Sequence, residues 1–264
     1  MIQRLALGIE YQGTNYYGWQ SQPKQRTIQA TIEQALSCIA DNPISIIASG
    51  RTDAGVHAMG QVVHFDTAVS REIPVWVRGA NHFLPQDIRV RWACSVPSDF
   101  HARYSALSRT YCYYIYQSKV ASALLNNAVA WYPQSLDINL MQIAAQALIG
   151  EHDFSALRGR RCQAKSPIRT IKQLNITQQQ NLIVIEITAN AFLYHMVRKI
   201  VALLVGVASK KFPDNYVIQT LQSKNPEFCS EMAPASGLYL MQVDYPADYD
   251  LPHFEAVPWP VRLN

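Results

Sequence analysis

The apolar positions open with a strand-like run, Leu5 to Tyr11, followed by a loop through Gly13, Gly18 and Pro23. From Thr27, a good N-cap residue, the period lengthens. Ile28, Ile32, Ala35, Leu36 and Ile39 then fall on one face of an expected helix. Ile44 to Ala48 reads as extended, Ser49 to Gly60 as turn-forming, and Gln61 to Thr67 as an alternating strand. Asn81 to Arg91 is expected to complete this half.

A similar order of elements follows. Arg109 to Gln117, rich in Tyr, predicts a strand. Asp137 caps an expected helix with Leu140, Ile143, Ala144, Ala147 and Leu148 on one face and Gly150 ending it. Ile168 to Thr177 and Leu182 to Thr188 read as two strands joined through Gln178 to Asn181. The spacing predicts a long helix over Ala191 to Lys210, a short one near Tyr216 to Ser223, and a closing strand, Gly237 to Asp244. The segment from Pro246 to Asn264 carries four prolines and little periodicity, as expected of a surface tail. Helices and strands are interspersed without strict βαβ repetition, which favours an α+β fold with a largely antiparallel sheet.

The chain has 264 residues, enough for one large domain or two small ones sharing a core. A composition of 49% hydrophobic and 16% charged residues points to a folded globular protein rather than a disordered one. A net charge of +4 is too weak for a nucleic-acid coat, so any RNA site is a local concentration of charge. The five cysteines are scattered, with no CxxC pair, and no disulfide framework or metal site is expected. The first ten residues lack a signal-peptide apolar stretch, and Ile200 to Val207 falls far short of the roughly 18 apolar residues that span a membrane. A cytoplasmic protein with no membrane association is the expectation.

The sharpest chemical feature is Gly50-Arg51-Thr52-Asp53-Ala54-Gly55-Val56-His57-Ala58. Glycines permit a tight backbone and close approach by a ligand, and Arg51 favours the ionised form of Asp53. An ionised carboxylate suits a nucleophile or base; a turn aspartate bonding its own backbone is the plainer alternative. Aspartic-protease chemistry needs two paired Asp-Thr/Ser-Gly loops and is excluded by the reversed order and single copy. Glycoside hydrolysis by Asp53 with Asp66 or Glu186 stays open. On Arg109 to Tyr116, alternation places Arg109, Tyr111, Tyr113 and Ile115 together, so that one tyrosine can stack on an extruded base beside a cation. In Tyr194-His195-Met196-Val197-Arg198-Lys199, Met196 and Val197 take the core side, and Arg198 falls on a stripe with Tyr194 and His195, where it can face a cleft and pair with a carboxylate; a solvated arginine on an amphipathic helix is the plainer alternative. The stretch from Arg158 to Lys172 includes Arg158, Arg160, Arg161, Lys165, Arg169 and Lys172 with no acidic residue, which suits phosphate; Lys24 with Arg26 and Lys210 with Lys211 are smaller candidates, for which a solvated basic face is the plainer reading.

Together with Tyr11 to Gln20, Arg109 to Tyr113 and Phe192 to Arg198, the Gly50 to Ala58 element resembles the tRNA pseudouridine synthase A family, in family order over roughly residues 1 to 245. Lys199 departs from that pattern, standing where Asn is usual. The resemblance implies two RRM-like (ferredoxin-like) halves, 1–105 and 106–245, with 246–264 as a tail. They would form a continuous, mostly antiparallel sheet flanked by helices, with a central basic cleft. It implies a homodimer that binds tRNA and isomerises uridines 38, 39 and 40 of the anticodon stem-loop without a cofactor. Asp53 matches the catalytic aspartate, Tyr111 the base-stacking tyrosine, and Arg51 and Arg198 the active-site arginines; Leu238 is grouped with them in substrate binding. Weaker tRNA contacts are assigned to Lys24, Arg26, Arg109, Arg158, Arg160, Arg161, Lys165 and Arg169. No metal and no other protein partner is implied.

Overall fold

The computed structural model describes residues 2–160 and 162–252; Arg161 and the tail beyond Pro252 lie outside the described residues. Two compact units divide the chain. One runs to Leu107 and resumes at Tyr239, and the other runs from Ser108 to Leu238.

The first unit begins with β1 (Gln3–Tyr11), α1 (Ile28–Ala40), β2 (Ile47–Ala48), β3 (His57–Thr67), α2 (Ile73–Phe83) and β4 (Ile88–Val96). β1 pairs antiparallel with both β3 and β4, and β2 pairs antiparallel with β3, giving the order β4-β1-β3-β2. Central placement explains why β1 reads as a nearly unbroken apolar run, since both of its faces are covered. α1 keeps the expected face, with Ile28, Ile32, Ala35 and Leu36 buried. Thr27 caps it through its extended backbone, without a side-chain bond to the helix. The buried Ile and Leu side chains each stabilise the fold by about 1.5–3 kcal/mol.

α2 was not expected from the sequence. Pro74 lies in its first turn, and its buried residues, Trp76 and Ala80, are four apart on one face. The Trp76 ring meets Phe65 of β3 edge-on at 5.2 Å. Gly79 lets Ile39 of α1 approach, since a methyl there would sit 3.1 Å from that side chain. The expected element at Asn81 to Arg91 is in fact the end of α2 and the start of β4. Asn81 links the two by bonding both backbone groups of Val90 at 2.8 and 2.9 Å.

The second unit holds β5 (Ser108–Gln117), β6 (Ala130–Tyr132), α3 (Ile138–Gln146), β7 (Gly150–Asp153), β8 (Ile168–Gln179), β9 (Leu182–Ala189), α4 (Met196–Ala208) and α5 (Tyr216–Ser223). Its sheet runs β5-β9-β8-β7 with antiparallel neighbours, and β6 pairs in parallel with β5. The expected turn between β8 and β9 forms with Gln180 in the left-handed region at φ 52°. Asp137 caps α3 as expected, its carboxylate accepting the Leu140 N–H at 3.0 Å. The buried face of α3 is rotated from the one expected: Met141, Ala144, Ala145 and Leu148 are buried and Ile143 is 70% exposed.

α4 begins five residues later than expected because His195, at φ 67°, breaks the helical path. Tyr194 and His195 therefore do not share a helical stripe with Arg198. Nearly every residue of α4 is buried, so it is a core helix with no solvent face.

The last strand, β10 (Leu238–Asp244), lies in the first unit from Tyr239 onward and pairs in parallel with β3, Tyr239 opposite His57 and Leu240 opposite Ala58. That partner explains why β3 starts at His57 and not at Gln61: a strand some 180 positions away in the sequence orders what local turn residues suggest is loop. Gly60 allows the approach, since a Cβ there would fall 2.2 Å from the Met241 carbonyl oxygen. Among the described residues no helix is long and apolar enough to cross a membrane.

Candidate active site

The loop bearing Asp53 leads into β3 and is fastened from behind. Ser49 donates its backbone N–H to Val62 O at 2.8 Å and its hydroxyl to Gln61 at 2.6 Å, while the Gln61 amide donates to Gly50 O at 2.9 Å. Thr52, buried, exchanges a 2.7 Å hydrogen bond with the Tyr11 hydroxyl, and its carbonyl accepts the Trp19 N–H at 3.0 Å. A turn closes with Val56 N–H donating to Asp53 O at 3.1 Å. Gly55 supplies the positive φ of 79° that this turn needs. His57 is buried, accepts the Gly13 N–H on Nδ1 at 3.1 Å, and stacks on Tyr239 at 4.5 Å. The result is a half-buried Asp53 and an exposed Arg51 on a backbone held at both ends.

Two glycines of the preceding loop complete that support. A Cβ on Gly13 would lie 1.9 Å from Val56 O, and one on Gly18, whose φ is 85°, would lie 2.8 Å from Thr52 O and 3.0 Å from Ala54 N. Gly50 is different: a Cβ there meets no atom of the described residues within 4 Å, so their packing does not require a glycine.

On the second unit, Tyr111 lies on β5, mostly buried, with its ring edge-on to Phe192 at 5.1 Å. Both faces of β5 are covered, so Tyr113 and Tyr114 are also packing residues. Arg198 is half-buried on the first turn of α4, and its Nε donates to Ala233 O at 2.8 Å. Tyr113 steadies the same segment by donating its hydroxyl to Pro234 O at 2.8 Å; burial raises the pKa of that hydroxyl. Leu238 is buried at the start of β10.

The basic residues divide by what they hold. Arg158 donates to the carbonyls of Cys162 and Ala164 at 2.7 and 2.8 Å and so ties its own loop together. Arg169 donates to Ser166 O and Ile168 O, and Arg109 to Asn190 O at 3.0 Å. Arg26 lies over the Tyr16 ring at 4.5 Å and donates to its hydroxyl, which donates in turn to Asp87 at 2.6 Å. Burial, followed by the bond to Asp87, raises the Tyr16 pKa. Lys24, Arg160 and Lys165 are exposed, with Arg160 in an open ion pair with Glu227 at 3.1 Å. The predicted phosphate-binding stretch is thus partly structural. Arg161 lies outside the described residues.

Sequence reasoning missed Lys199 as a buried cation. It is only 7% exposed, and its Nζ faces the carbonyls of Ala156, Arg158 and Pro226, each at 3.4 Å. Burial lowers its pKa. Its place beside Arg198 in a helix of otherwise apolar residues was the available signal. Among the described residues no group of three or more His, Cys, Asp or Glu side chains is arranged to hold a metal ion.

A family model described as tRNA pseudouridine synthase matches residues 8–105 and 144–246. The chain is 48% identical over 248 residues to the tRNA pseudouridine synthase A of Legionella pneumophila (strain Paris), covering 94% of this chain and 95% of that protein. It is 47% identical over 263 residues to that of Vibrio cholerae serotype O1 (strain M66-2), covering 99% and 100%. A crystal structure of a Cbf5-Nop10-Gar1 complex is a slight likeness, at a TM-score of 0.33 and 10% identity over 76% of this chain and 54% of that one. The match to the family model over most of the chain, together with near-half identity across whole relatives, establishes that the chain belongs to the tRNA pseudouridine synthase A family.

Proposed function

We propose that the enzyme isomerises uridine to pseudouridine at positions 38, 39 and 40 of the tRNA anticodon stem-loop, with Asp53 initiating cleavage of the glycosidic bond. The observation that carries this reading is the rigidly fastened Gly50 to Ala58 loop with its half-buried carboxylate, in a chain of this family. The reaction breaks N1–C1′, turns the uracil and bonds C5 to C1′; the proton lost from C5 is balanced by one gained at N1. No electrons and no water are consumed, so the chemistry calls for no cofactor. Asp53 either attacks C1′ or removes the C2′ proton. Tyr111 stacks on the everted uracil, Arg198 holds Asp53 ionised, Arg51 fills the space the base leaves, and Leu238 contacts the substrate. Lys24, Arg26, Arg109, Arg158, Arg160, Arg161, Lys165 and Arg169 contribute more weakly to tRNA binding.

The order β4-β1-β3-β2, with α1 and α2 as crossovers, supports reading the first unit as an RRM-like half. The second half is read the same way, with a basic active-site cleft, in a cytoplasmic homodimer that binds tRNA across both subunits. The test is incubation with tRNA tritiated at uridine C5. Tritium release from positions 38, 39 and 40 without free uracil is expected. Release of free uracil indicates a hydrolase, and no release from a competent substrate removes the reading.

A further inference from the structure

α4's entry sequence contributes to two different places. Arg198 turns toward Ala233, whereas Tyr194, His195 and Lys199 line a cavity of about 390 Å³ together with Gly159, Arg160 and Glu227. Neither Tyr111, Arg198 nor Leu238 lines it. Its size is within the range of small-ligand sites.

Two features give this cavity a chemical character. The first is an aromatic wall: the Tyr194 and His195 rings stack at 3.6 Å and 29°, and Tyr194 is 42% exposed. The left-handed backbone at His195 presents this pair, and Gly159 closes against it, donating its N–H to Tyr194 O at 2.9 Å. A Cβ on Gly159 would lie 2.8 Å from the Tyr194 ring. The second is cationic: Lys199 is buried with its Nζ in three long contacts to carbonyls, and Arg160 stands in the open. Among the described residues Glu227 is the one carboxylate in the lining; its pair with Arg160 is solvent-exposed on both sides and therefore readily exchanged for a phosphate.

We propose that this cavity is a second nucleotide subsite, in which an unstacked base of the bound tRNA, other than the target uridine, lies against Tyr194 while its phosphate pairs with Arg160 near Lys199. A stacking ring beside exposed and buried cations is the combination that single-stranded RNA selects, because every base offers a π-face and every link a charge. The inference rests on the reading of the protein as a tRNA-modifying enzyme.

The test titrates an unmodified tRNA transcript carrying the anticodon stem-loop into the full-length enzyme at several salt concentrations. The variants are Tyr194→Leu, Tyr194→Phe and Arg160→Gln, all at exposed positions. Tyr194→Leu is expected to raise Kd about tenfold, and Tyr194→Phe to restore it to within about twofold. Arg160→Gln is expected to flatten the slope of log K against log salt by about 0.7–0.9. Wild-type binding in Tyr194→Leu, equal losses in both Tyr194 variants, or an unchanged slope in Arg160→Gln would each overturn the subsite while leaving the isomerisation by Asp53 intact; the unchanged slope would also remove Arg160 from the tRNA contacts. Failure of the unaltered enzyme to bind the transcript would instead remove that reading, and this inference with it.

Discussion

Gly18→Ala is the substitution that most directly tests how the Asp53 loop is held. Gly18 has φ 85°, where a side chain is strained by about 1–3 kcal/mol. The added methyl would also stand 2.8 Å from Thr52 O, 3.0 Å from Ala54 N and 3.1 Å from the Asp53 carbonyl carbon. All three are backbone atoms that cannot swing aside, so overpacking costs about another 1–3 kcal/mol. Together the variant is expected to lose about 2–6 kcal/mol of stability. The loop relieves the contact only by moving Asp53, and a displacement approaching ~1 Å lowers kcat by roughly 100-fold. Gly50→Ala is the control: its Cβ meets no atom of the described residues, and its stability should stay within about 0.5 kcal/mol of the parent. Urea unfolding followed by tryptophan fluorescence gives the stabilities, and tritium release gives kcat. Equal stabilities for the two variants, or full activity in Gly18→Ala, would refute the argument that Gly18 supports the loop.

Three further outcomes follow from single contacts. Burial, then the charges of His101 and Arg4, lower the pKa of His64 from 6.5 to about 4. The unfolded chain therefore binds the extra proton first, and stability should fall by an amount on the order of 2–3 kcal/mol as pH drops from about 6.5 to about 4. In urea titrations His64→Gln should lose that part of the pH dependence, and an unchanged pH profile would contradict it. Asp137→Ala removes the cap bond to Leu140 and should cost about 1 kcal/mol by chemical denaturation. Arg158→Ala frees the carbonyls of Cys162 and Ala164, so hydrogen exchange in that loop should quicken, whereas Lys165→Ala, at an exposed position, should leave it unchanged.

Much of the framework was legible because its determinants are local. The period of α1, the Asp137 cap, the tyrosine-rich β5 and the β8–β9 turn each depend on neighbours within a few residues. What escaped depends on distant partners. β3 starts at His57 because β10 pairs with it, and the buried face of α3 is set by the elements packed on it. α4's late start follows from a left-handed His195, a residue type that gives little warning of that conformation. α2 was legible in part: Pro74, Trp76 and Ala80 carry its signal, but its polar stretch, Arg78 with Asn81 and His82, obscured it. The motif identified Asp53 and Arg51 as candidates, yet the support beneath them, from Tyr11, Gly13 and Gly18, rests on spatial closeness across some 30 to 45 positions. In the basic stretch the type of residue was plain and its use was not, because an arginine reads the same whether it binds a carbonyl of its own loop or a phosphate.

The proposed reaction starts from a single carboxylate, that of Asp53. Asp53→Asn keeps size and shape while removing the charge, so it separates chemistry from binding. The measurement is single-turnover tritium release by Asp53→Asn from a tRNA to which its affinity is determined in parallel. The expected outcome is tRNA affinity within about threefold of the parent and tritium release reduced by at least about 10⁴. Release at the parental rate, with the substitution verified in the protein used, would contradict it.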